Sequence, residues 1–537
     1  TFAFDPAQPL KLSAGSGDRG LQLEIPATGL KVSVESLDAE RGRVTLKLPW
    51  KKRDQRRAAG FSDGIPAGLS SLIKVPADIS ESLRESLLEQ ANCWLSGGQG
   101  LPKALLQLLE RQPVAELASL NEAICAEPDS VIGRLSAFLA GCGAAALALQ
   151  GPPGTGKSTV TAEVIAQLVA TGKRVAISSN SHAAINNLLR KAKATCTKQG
   201  FPDVVVKCSN SKSEEQLAGS GIPLVPAQAL TDQMAVVGGT TWMFCRDELS
   251  EQFDLLVIDE AGQMSLANLL VMARCAKTIL LVGDQQQLAQ PTQADHPGDS
   301  GLSCLEYLMQ GAHVVPADRG VFLATSWRME PSLTAMVSQL FYDGRLNANP
   351  ANASNAISWR QPCIGATGKA LPEQGLVFEA VEHNGCSVCS EAEIDRIEEL
   401  VDALLGSSYC HAAAGQQMRG VLGPEQILVT APYNVQVNRL QQRLGKKARV
   451  GTVDKFQGQE APVAIHSLTA SDGDAAPRGL GFLLEPNRLN VAISRAQCLS
   501  IVVGSPGLTT GIASTVQEAE QINRLCRITQ PAAHLLR

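Results

Sequence analysis

Hydrophobic and polar positions change their period twice along this chain, and each change marks a different kind of element. Up to about Trp50, short runs alternate apolar with polar residues, as in Leu21-Gln22-Leu23-Glu24-Ile25, Leu30-Lys31-Val32-Ser33-Val34 and Val44-Thr45-Leu46-Lys47-Leu48, with Gly, Pro, Asp and Arg between them. This alternation predicts a small antiparallel sheet or β-barrel over residues 1–60. From Ser80 to Leu139 the spacing is helical, with Leu83, Leu87 and Leu88 and then Leu105, Leu106, Leu108 and Leu109, which predicts a helical connector over 61–140. After Leu147 short apolar strands alternate with helical segments; the predicted strands are 174–178, 255–258, 278–282, 426–430 and 499–503. Strand then helix, repeated over roughly 350 residues, argues for parallel sheets of α/β type, and the stretch is too long for one doubly wound sheet. Two such domains are expected, with no solenoid repeat and no low-complexity tail.

Length and composition agree with that organisation. The 537 residues, 44% hydrophobic and 18% charged, suffice for two to four compact domains and exclude a disordered or fibrous chain. Lys plus Arg number 47 against 52 Asp plus Glu, a formal charge of -5, so any basic footprint for nucleic acid must be local. One local excess exists: Arg41, Arg43, Lys47, Lys51, Lys52, Arg53, Arg56 and Arg57, with Trp50 among them and only Asp54 opposing. It reads either as a backbone-binding patch with one stacking ring or as a strand edge protected by charge. The longest apolar runs fall short of the ~20 residues a membrane span needs, and no signal peptide opens the chain. Fourteen cysteines scattered without a disulfide spacing suit a reducing, cytoplasmic setting. The first residue is Thr1 rather than Met, as in a fragment or a processed product.

The strongest chemical signal is Gly151-Pro152-Pro153-Gly154-Thr155-Gly156-Lys157-Ser158, followed by Thr159, between an apolar run and a helical segment. That spacing is a phosphate-binding loop: glycines let backbone N–H groups curl around phosphate oxygens, Lys157 reaches the terminal phosphates, and the Ser158 hydroxyl can ligate Mg²⁺. About a hundred residues on, Leu255-Leu256-Val257-Ile258-Asp259-Glu260 ends a buried strand in two carboxylates. Asp259 is the candidate to hold Mg²⁺ and Glu260 to polarise an attacking water; the plainer alternative is a strand that ends in a polar turn. A third block, Leu281-Val282-Gly283-Asp284-Gln285-Gln286-Gln287-Leu288, again ends an apolar strand in polar residues, its glutamines open either to phosphate and water or to solvent.

Further blocks follow in a fixed order: Thr325 to Pro331 with Trp327 and Arg328, Phe341 to Leu346, Ala431-Pro432-Tyr433-Asn434-Val435-Gln436, Val450 to Glu460, and Leu489-Asn490-Val491-Ala492-Ile493-Ser494-Arg495-Ala496. In order and spacing the set resembles the superfamily 1 helicases, specifically the subgroup of the RNA-surveillance helicases and the helicase half of nuclease-helicase fusion proteins. The resemblance covers about Gln150 to Gly504. It implies an α/β fold of two RecA-like P-loop NTPase domains behind the small β-barrel and connector, the first over 141–324 and the second over 325–537, with ATP and Mg²⁺ between them. It implies catalytic roles for Lys157, Asp259, Glu260, Gln287, Arg328 and Arg495, with Arg328 and Arg495 on the γ-phosphate and Gln287 sensing it. Gly458 and Glu460 are implied near the ribose or the cleft. By the same resemblance Ser181, His182, Thr240, Thr241, Pro432, Tyr433 and Thr452 lie along a single strand of DNA or RNA, where each also reads as an ordinary helix cap.

The chain departs from the family pattern at Ser158 for Thr, at Trp327 for Tyr, at Ile493-Ser494 for Leu-Thr, and in the absence of an adenine-reading glutamine motif upstream of Gln150. Cys386 and Cys389, with His383 before and Cys410-His411 after, form one Cys-x-x-Cys without a second pair, a weak metal signal. No nuclease set of Asp, Glu and Lys stands out in 1–140, although a nuclease domain or partner is compatible with the resemblance. The resulting expectation is an ATP-dependent helicase or translocase moving 5′ to 3′ on a single strand. Its rivals are a nucleic-acid-stimulated ATPase that remodels complexes without unwinding and an ATP-switched binding module.

Overall fold

The computed structural model describes residues 2–3, 22–25, 30–38, 41–47, 73–75, 81–209, 214–290, 296–413, 416–456, 458–473, 476–513 and 515–530. The chain divides into two compact units, Thr1–Glu85 and Ser86–Arg537.

The first unit contains one sheet of five strands, β1 (Phe2–Ala3), β2 (Gln22–Ile25), β3 (Leu30–Asp38), β4 (Arg43–Lys47) and β5 (Ile73–Val75), in the order β1-β4-β3-β2-β5 with antiparallel pairings. Alternation works as expected on β4, where Val44 and Leu46 are buried while Arg43 and Lys47 face out. Two expectations need correction. The sheet takes its fifth strand from Ile73–Val75, so this unit runs past residue 60 into the predicted connector. No pairing joins β1 to β5 among the described residues, so what is described is an open sheet rather than a closed barrel.

The second unit opens with four helices, α1 (Glu81–Leu95, which begins within the first unit's bounds), α2 (Lys103–Leu109), α3 (Leu117–Ala126) and α4 (Val131–Gly141). A sheet of eight strands follows: β6 (Ala146–Gln150), β7 (Val175–Ser178), β8 (Val205–Cys208), β9 (Leu224–Val225), β10 (Val236–Gly238), β11 (Phe253–Ile258), β12 (Ala276–Gly283) and β13 (Gly320–Phe322). Their order is β13-β6-β12-β11-β7-β10-β8-β9, and every pairing is parallel. Between the strands run α5 (Lys157–Ala170), α6 (His182–Lys198), α7 (Leu266–Met272) and α8 (Cys304–Met309). Helix and strand side chains share one core, with Leu147, Leu149, Ile177 and Val257 from the sheet meeting Val164, Ile165, Leu188 and Leu189 from the helices.

After a short pair of strands, β14 (Thr325–Ser326) and β15 (Asn347–Ala348), separated by α9 (Pro331–Phe341), a second parallel sheet forms. It contains β17 (Gly375–Ala380), β20 (Ile427–Thr430), β21 (Arg449–Gly451), β22 (Ala461–Ser467) and β23 (Ala496–Gly504) in the order β17-β23-β22-β20-β21. β23 is buried at all nine positions, which is why its sequence is an apolar run rather than an alternation. The strands are joined by α10 (Glu391–Leu404), α11 (Asn434–Leu444), α12 (Pro486–Ile493) and, after β23, α13 (Val516–Thr529). On α10 the residues Ile394, Ile397, Leu400, Val401 and Leu404 recur at helical spacing and are buried, and the Ser390 hydroxyl caps the helix on the Glu393 N–H at 3.3 Å. An antiparallel group the sequence reading did not predict, β16 (Ala356–Ser358), β18 (Ser408–Ala413) and β19 (Gln416–Val421), is added to this half.

His466 sits on β22 in register with Thr430 of β20, with its Nδ1 2.9 Å from the Thr430 hydroxyl, and burial pushes its pKa down from 6.5 to about 4. Between those two values the unfolded chain binds a proton that the folded chain refuses. Stability is therefore full above pH 6.5 and declines by about 3 kcal/mol from this residue alone as the pH falls to 4. Urea unfolding of wild type and His466→Asn at several pH values should show a flatter acid limb for the variant; identical limbs would exclude His466 as a source of the decline.

Candidate active site

β6 carries five buried residues and delivers the chain straight into the Gly-rich loop at the carboxyl edge of the first sheet. Gly154 and Gly156 adopt φ of +77° and +76°, a region an L side chain enters only with strain. Gly154 is also crowded: a Cβ there would lie 2.5 Å from Arg328 Cβ and 2.8 Å from Ser326 Oγ, so the loop abuts the second half of the molecule. The Trp327 N–H donates to the Gly154 carbonyl at 2.8 Å across the same seam. α5 begins at Lys157, so the unpaired N–H groups of its first turn face the loop's hollow, a ready anion site. The Lys157 ammonium donates to the Gly151 carbonyl at 2.9 Å, and Thr155 Oγ1 donates to the Pro152 carbonyl at 2.8 Å.

β11 ends at Ile258, and the two carboxylates follow. Asp259 is buried, and burial followed by the neighbouring Glu260 charge pushes its carboxyl up to about 7 against the pull of Lys157. A carboxylate so placed gains from a cation beside it. Glu260 has φ +53°, a left-handed backbone for a residue with a side chain, set by the tight turn that begins after it. Gln287, at the end of the turn after β12, donates through Nε2 to Asp284 at 2.8 Å.

Three groups come from the other sheet's side. Arg328 Nε lies 2.5 Å from Glu460, and its guanidinium also donates to the Ser494 carbonyl at 3.0 Å. Burial alone would raise the Glu460 carboxyl, but Arg328 and Gln497 outweigh it and hold it below the usual range. Arg495 is 2% exposed, yet it donates only to the carbonyls of Val491 and Gln459, each at 3.0 Å. Burial, then the nearby Arg328, push its pKa down to about 9. Glu260 and Glu460 act the other way, favouring its charge, but among the described residues no carboxylate bonds to it directly.

One cavity of about 450 Å³ gathers most of the expected set: Pro152, Pro153, Gly154, Thr155, Gly156, Lys157, Ser158, Glu260, Gln287, Arg328, Gly458, Glu460 and Arg495 all line it. Gly151, Thr159 and Asp259 do not line it; Gly151 closes the loop behind Lys157, Thr159 faces solvent, and Asp259 lies buried beside Glu260. Four further lining residues escaped the sequence reading of the cleft: Asn187 and Lys191 from α6, Trp327, and Ala412 at the end of β18. Asn187 and Lys191 stand one turn apart on α6, whose Ile185, Leu188 and Leu189 are buried, so their spacing was a usable signal. Trp327 is 53% exposed at this cleft, and nothing in a lone sequence tells an exposed ring from a core one.

The residues expected along a nucleic-acid strand follow the carboxyl ends of β7, β10, β20 and β21. Ser181 and His182 are exposed, and Ser181 also caps α6 by accepting from the Ala184 N–H at 3.1 Å. Lys207 is buried with its ammonium 3.0 Å from His182 Nδ1 and 2.5 Å from Glu214. Thr240, Pro432 and Thr452 are half-buried. Thr241 is buried inside a short helix, and the Tyr433 ring packs on Phe482 at 5.6 Å. Of the basic patch, Arg41, Arg43 and Lys47 are exposed, whereas Trp50, Lys51, Lys52, Arg53, Arg56 and Arg57 lie outside the described residues. His383 is bonded to Glu393 at 2.9 Å and Ser471 at 2.8 Å, and no group of three or more metal-ligating side chains gathers around Cys386 and Cys389 among the described residues. No helix among the described residues is long and apolar enough to cross a membrane.

Two parallel sheets with a phosphate loop, a strand-end carboxylate pair and facing arginines on one cleft define the class of P-loop proteins with paired RecA-like domains. Comparison with known proteins sharpens this. Two family models, each described as an AAA domain, match residues 135–296 and 301–507. The chain is 27% identical over 414 residues to the ATP-dependent helicase NAM7 of Saccharomyces cerevisiae, covering 67% of this chain and 40% of that one. It is 28% identical over 368 residues to the DNA replication ATP-dependent helicase/nuclease DNA2 of Gallus gallus, covering 66% and 34%. The complex structure of arterivirus nonstructural protein 10 (helicase) with DNA aligns at 13% identity and TM-score 0.41, over 96% of this chain and 78% of that chain. Over about two thirds of its length the chain is similar to ATP-dependent helicases, and it spans about two fifths of the length of the first curated relatives it matches.

Gly154→Ala tests the seam. The added methyl meets Arg328 and Ser326 and is strained at φ +77°, so the variant should bind ATP at least about tenfold more weakly while melting within a few degrees of wild type. Titration with a fluorescent ATP analogue measures it, and unchanged affinity would show that the loop yields without consequence.

Proposed function

We propose that this chain is an ATP hydrolase that moves along single-stranded DNA or RNA and separates duplexes, the direction 5′ to 3′ resting on the family resemblance. The observation that carries the reading is Arg495: a buried guanidinium that bonds only to carbonyls, on the wall of the cavity that Lys157 also lines. A triphosphate supplies the missing negative charge. In this reading the N–H groups of Gly154 to Ser158 and the Lys157 ammonium hold its β- and γ-phosphates, and Trp327 offers the base a ring where no upstream glutamine motif does so. Asp259 and Ser158 suit Mg²⁺, a buried carboxylate and a hydroxyl at the loop's end. Mg²⁺, when bound, neutralises charge on the phosphate oxygens. Glu260 takes the proton of the attacking water while Gln287 orients that water.

Arg328 and Arg495 complete the charge neutralisation only when their half of the molecule closes on the loop, so hydrolysis and domain movement are coupled by geometry. The strand lies across the carboxyl ends of both sheets, touched by Ser181, His182, Thr240, Pro432 and Thr452 through hydroxyls and backbone donors that carry no base information. A nuclease activity, on the same chain or a partner, fits beside this motor as it does in the helicase/nuclease relative. The cysteine pattern keeps a cytoplasmic location within the reading.

Three experiments test it. Strand separation on DNA and RNA duplexes with 5′ or 3′ tails should proceed with ATP and from one tail polarity; no ATP turnover with either single strand present would refute the motor. Glu260→Gln should bind ATP and stop turnover. Arg495→Met should lower turnover by about a thousandfold while leaving stability unchanged or improved, because it removes a buried cation without a partner. A marked loss of melting temperature in Arg495→Met would assign the arginine to structure instead.

A further inference from the structure

Outside the groups assigned above, the most tightly built polar contact between the two halves of the nucleotide cleft centres on Tyr342. Its side chain is fully buried at the end of α9, in the second half. Its hydroxyl donates to Asp284 Oδ2 at 2.7 Å, and that same oxygen receives the Gln287 Nε2 donor at 2.8 Å. Asp284 and Gln287 belong to the turn after β12, in the first half. From the other side, Asn490 on α12 donates to the Tyr342 hydroxyl at 2.7 Å and to the Gln286 carbonyl at 2.8 Å, and Asn487 donates to the Gln285 carbonyl at 3.0 Å. The donors run in one direction, from Asn490 to Tyr342 to Asp284, with Gln287 as the second donor to the same carboxylate. Because a carboxylate only accepts, the amide nitrogen of Gln287 must face Asp284. One of its hydrogens is thereby committed, and the amide oxygen and remaining hydrogen are left for whatever occupies the cleft that Gln287 lines.

We propose that Tyr342 is a positioning residue for Gln287, reporting through Asp284 that the second half has closed. This rests on the reading of the cleft as an ATPase site. Separation of the halves withdraws both the tyrosine hydroxyl and the asparagine amides, which bond across the seam. Asp284 then loses one of its two Oδ2 donors and is free to reorient, and Gln287 loses the fixed anchor that aims it at the attacking water. Gln287 is therefore in register only in the closed state, so turnover is withheld while the halves are apart, even with ATP on the loop. The tyrosine ring contributes packing and the hydroxyl contributes the coupling, which makes Tyr342→Phe the informative change.

In steady-state ATPase assays with saturating single-stranded DNA or RNA, Tyr342→Phe should lower kcat about tenfold and leave KM for ATP within about twofold. In a Gln287→Ala background it should add nothing further, since both changes remove one function. Asn490→Ala, which leaves the Tyr342–Asp284 bond in place, should give a smaller loss of the same kind and carries the test if Tyr342→Phe does not fold. Melting temperatures taken alongside separate a rate effect from unfolding. Wild-type turnover in Tyr342→Phe, or losses that multiply with Gln287→Ala as independent damage does, would overturn the coupling and leave the ATPase reading intact. A wild-type chain that binds no ATP would fell that reading and this one with it.

Discussion

A buried positive charge that no carboxylate bonds directly, among the described residues, governs this molecule. Arg495 is held in the interior by two carbonyl oxygens, with Arg328 close enough to make its charge costlier still. An arrangement of that kind is unfavourable in isolation, and the fold tolerates it because stability is drawn from two large apolar cores, one in each half. The positive loop N–H groups, Lys157 and the two arginines converge on one hollow from two separate sheets. A polyanion is the one occupant that resolves all of these at once. Under the proposed function, a triphosphate bound there is held from both sheets at once, which favours their closed arrangement.

How much of this was legible in the sequence depends on the range of the interaction concerned. The phosphate loop was legible because its requirements are local: Gly154 and Gly156 must take left-handed backbones, and a helix must begin at Lys157. The parallel sheets were legible from apolar runs such as Leu255 to Ile258, since a strand buried on both faces has no polar face to show. What failed to show depends on pairings between distant segments. β5 joins a sheet whose other strands end at Lys47, and β18 and β19 form a hairpin that brings Ala412 to the nucleotide cleft from an antiparallel group no strand-helix alternation predicts. Tyr342 reads in sequence as one more aromatic after a helix; only the fold sets it against Asp284.

The net charge of -5 bears on the same architecture. Under the proposed function, an acidic body repels a nucleic-acid backbone at long range, so attraction has to be local, from short-range donors at loop tips, on which salt acts little, and from exposed cations, on which it acts strongly. Ser181, Thr240 and Thr452 are neutral, while the exposed Arg41, Arg43 and Lys47 stand in the other unit. Some of the acid is occupied elsewhere: Asp395, Glu398 and Asp402 on α10 are matched by Arg443 and Lys447 on and just after α11, a surface ladder that ties two helices of the second half together. Negative charge thus serves the packing of that half, while Lys157, Arg328 and Arg495 bring positive charge to the cleft, and under the proposed function the strand track uses groups without charge. Under the proposed function, a grip built in this way is weak at each contact and insensitive to base identity, so it can be released step by step at little cost, and the strongest electrostatic event is the arrival and hydrolysis of the polyanion at Arg495.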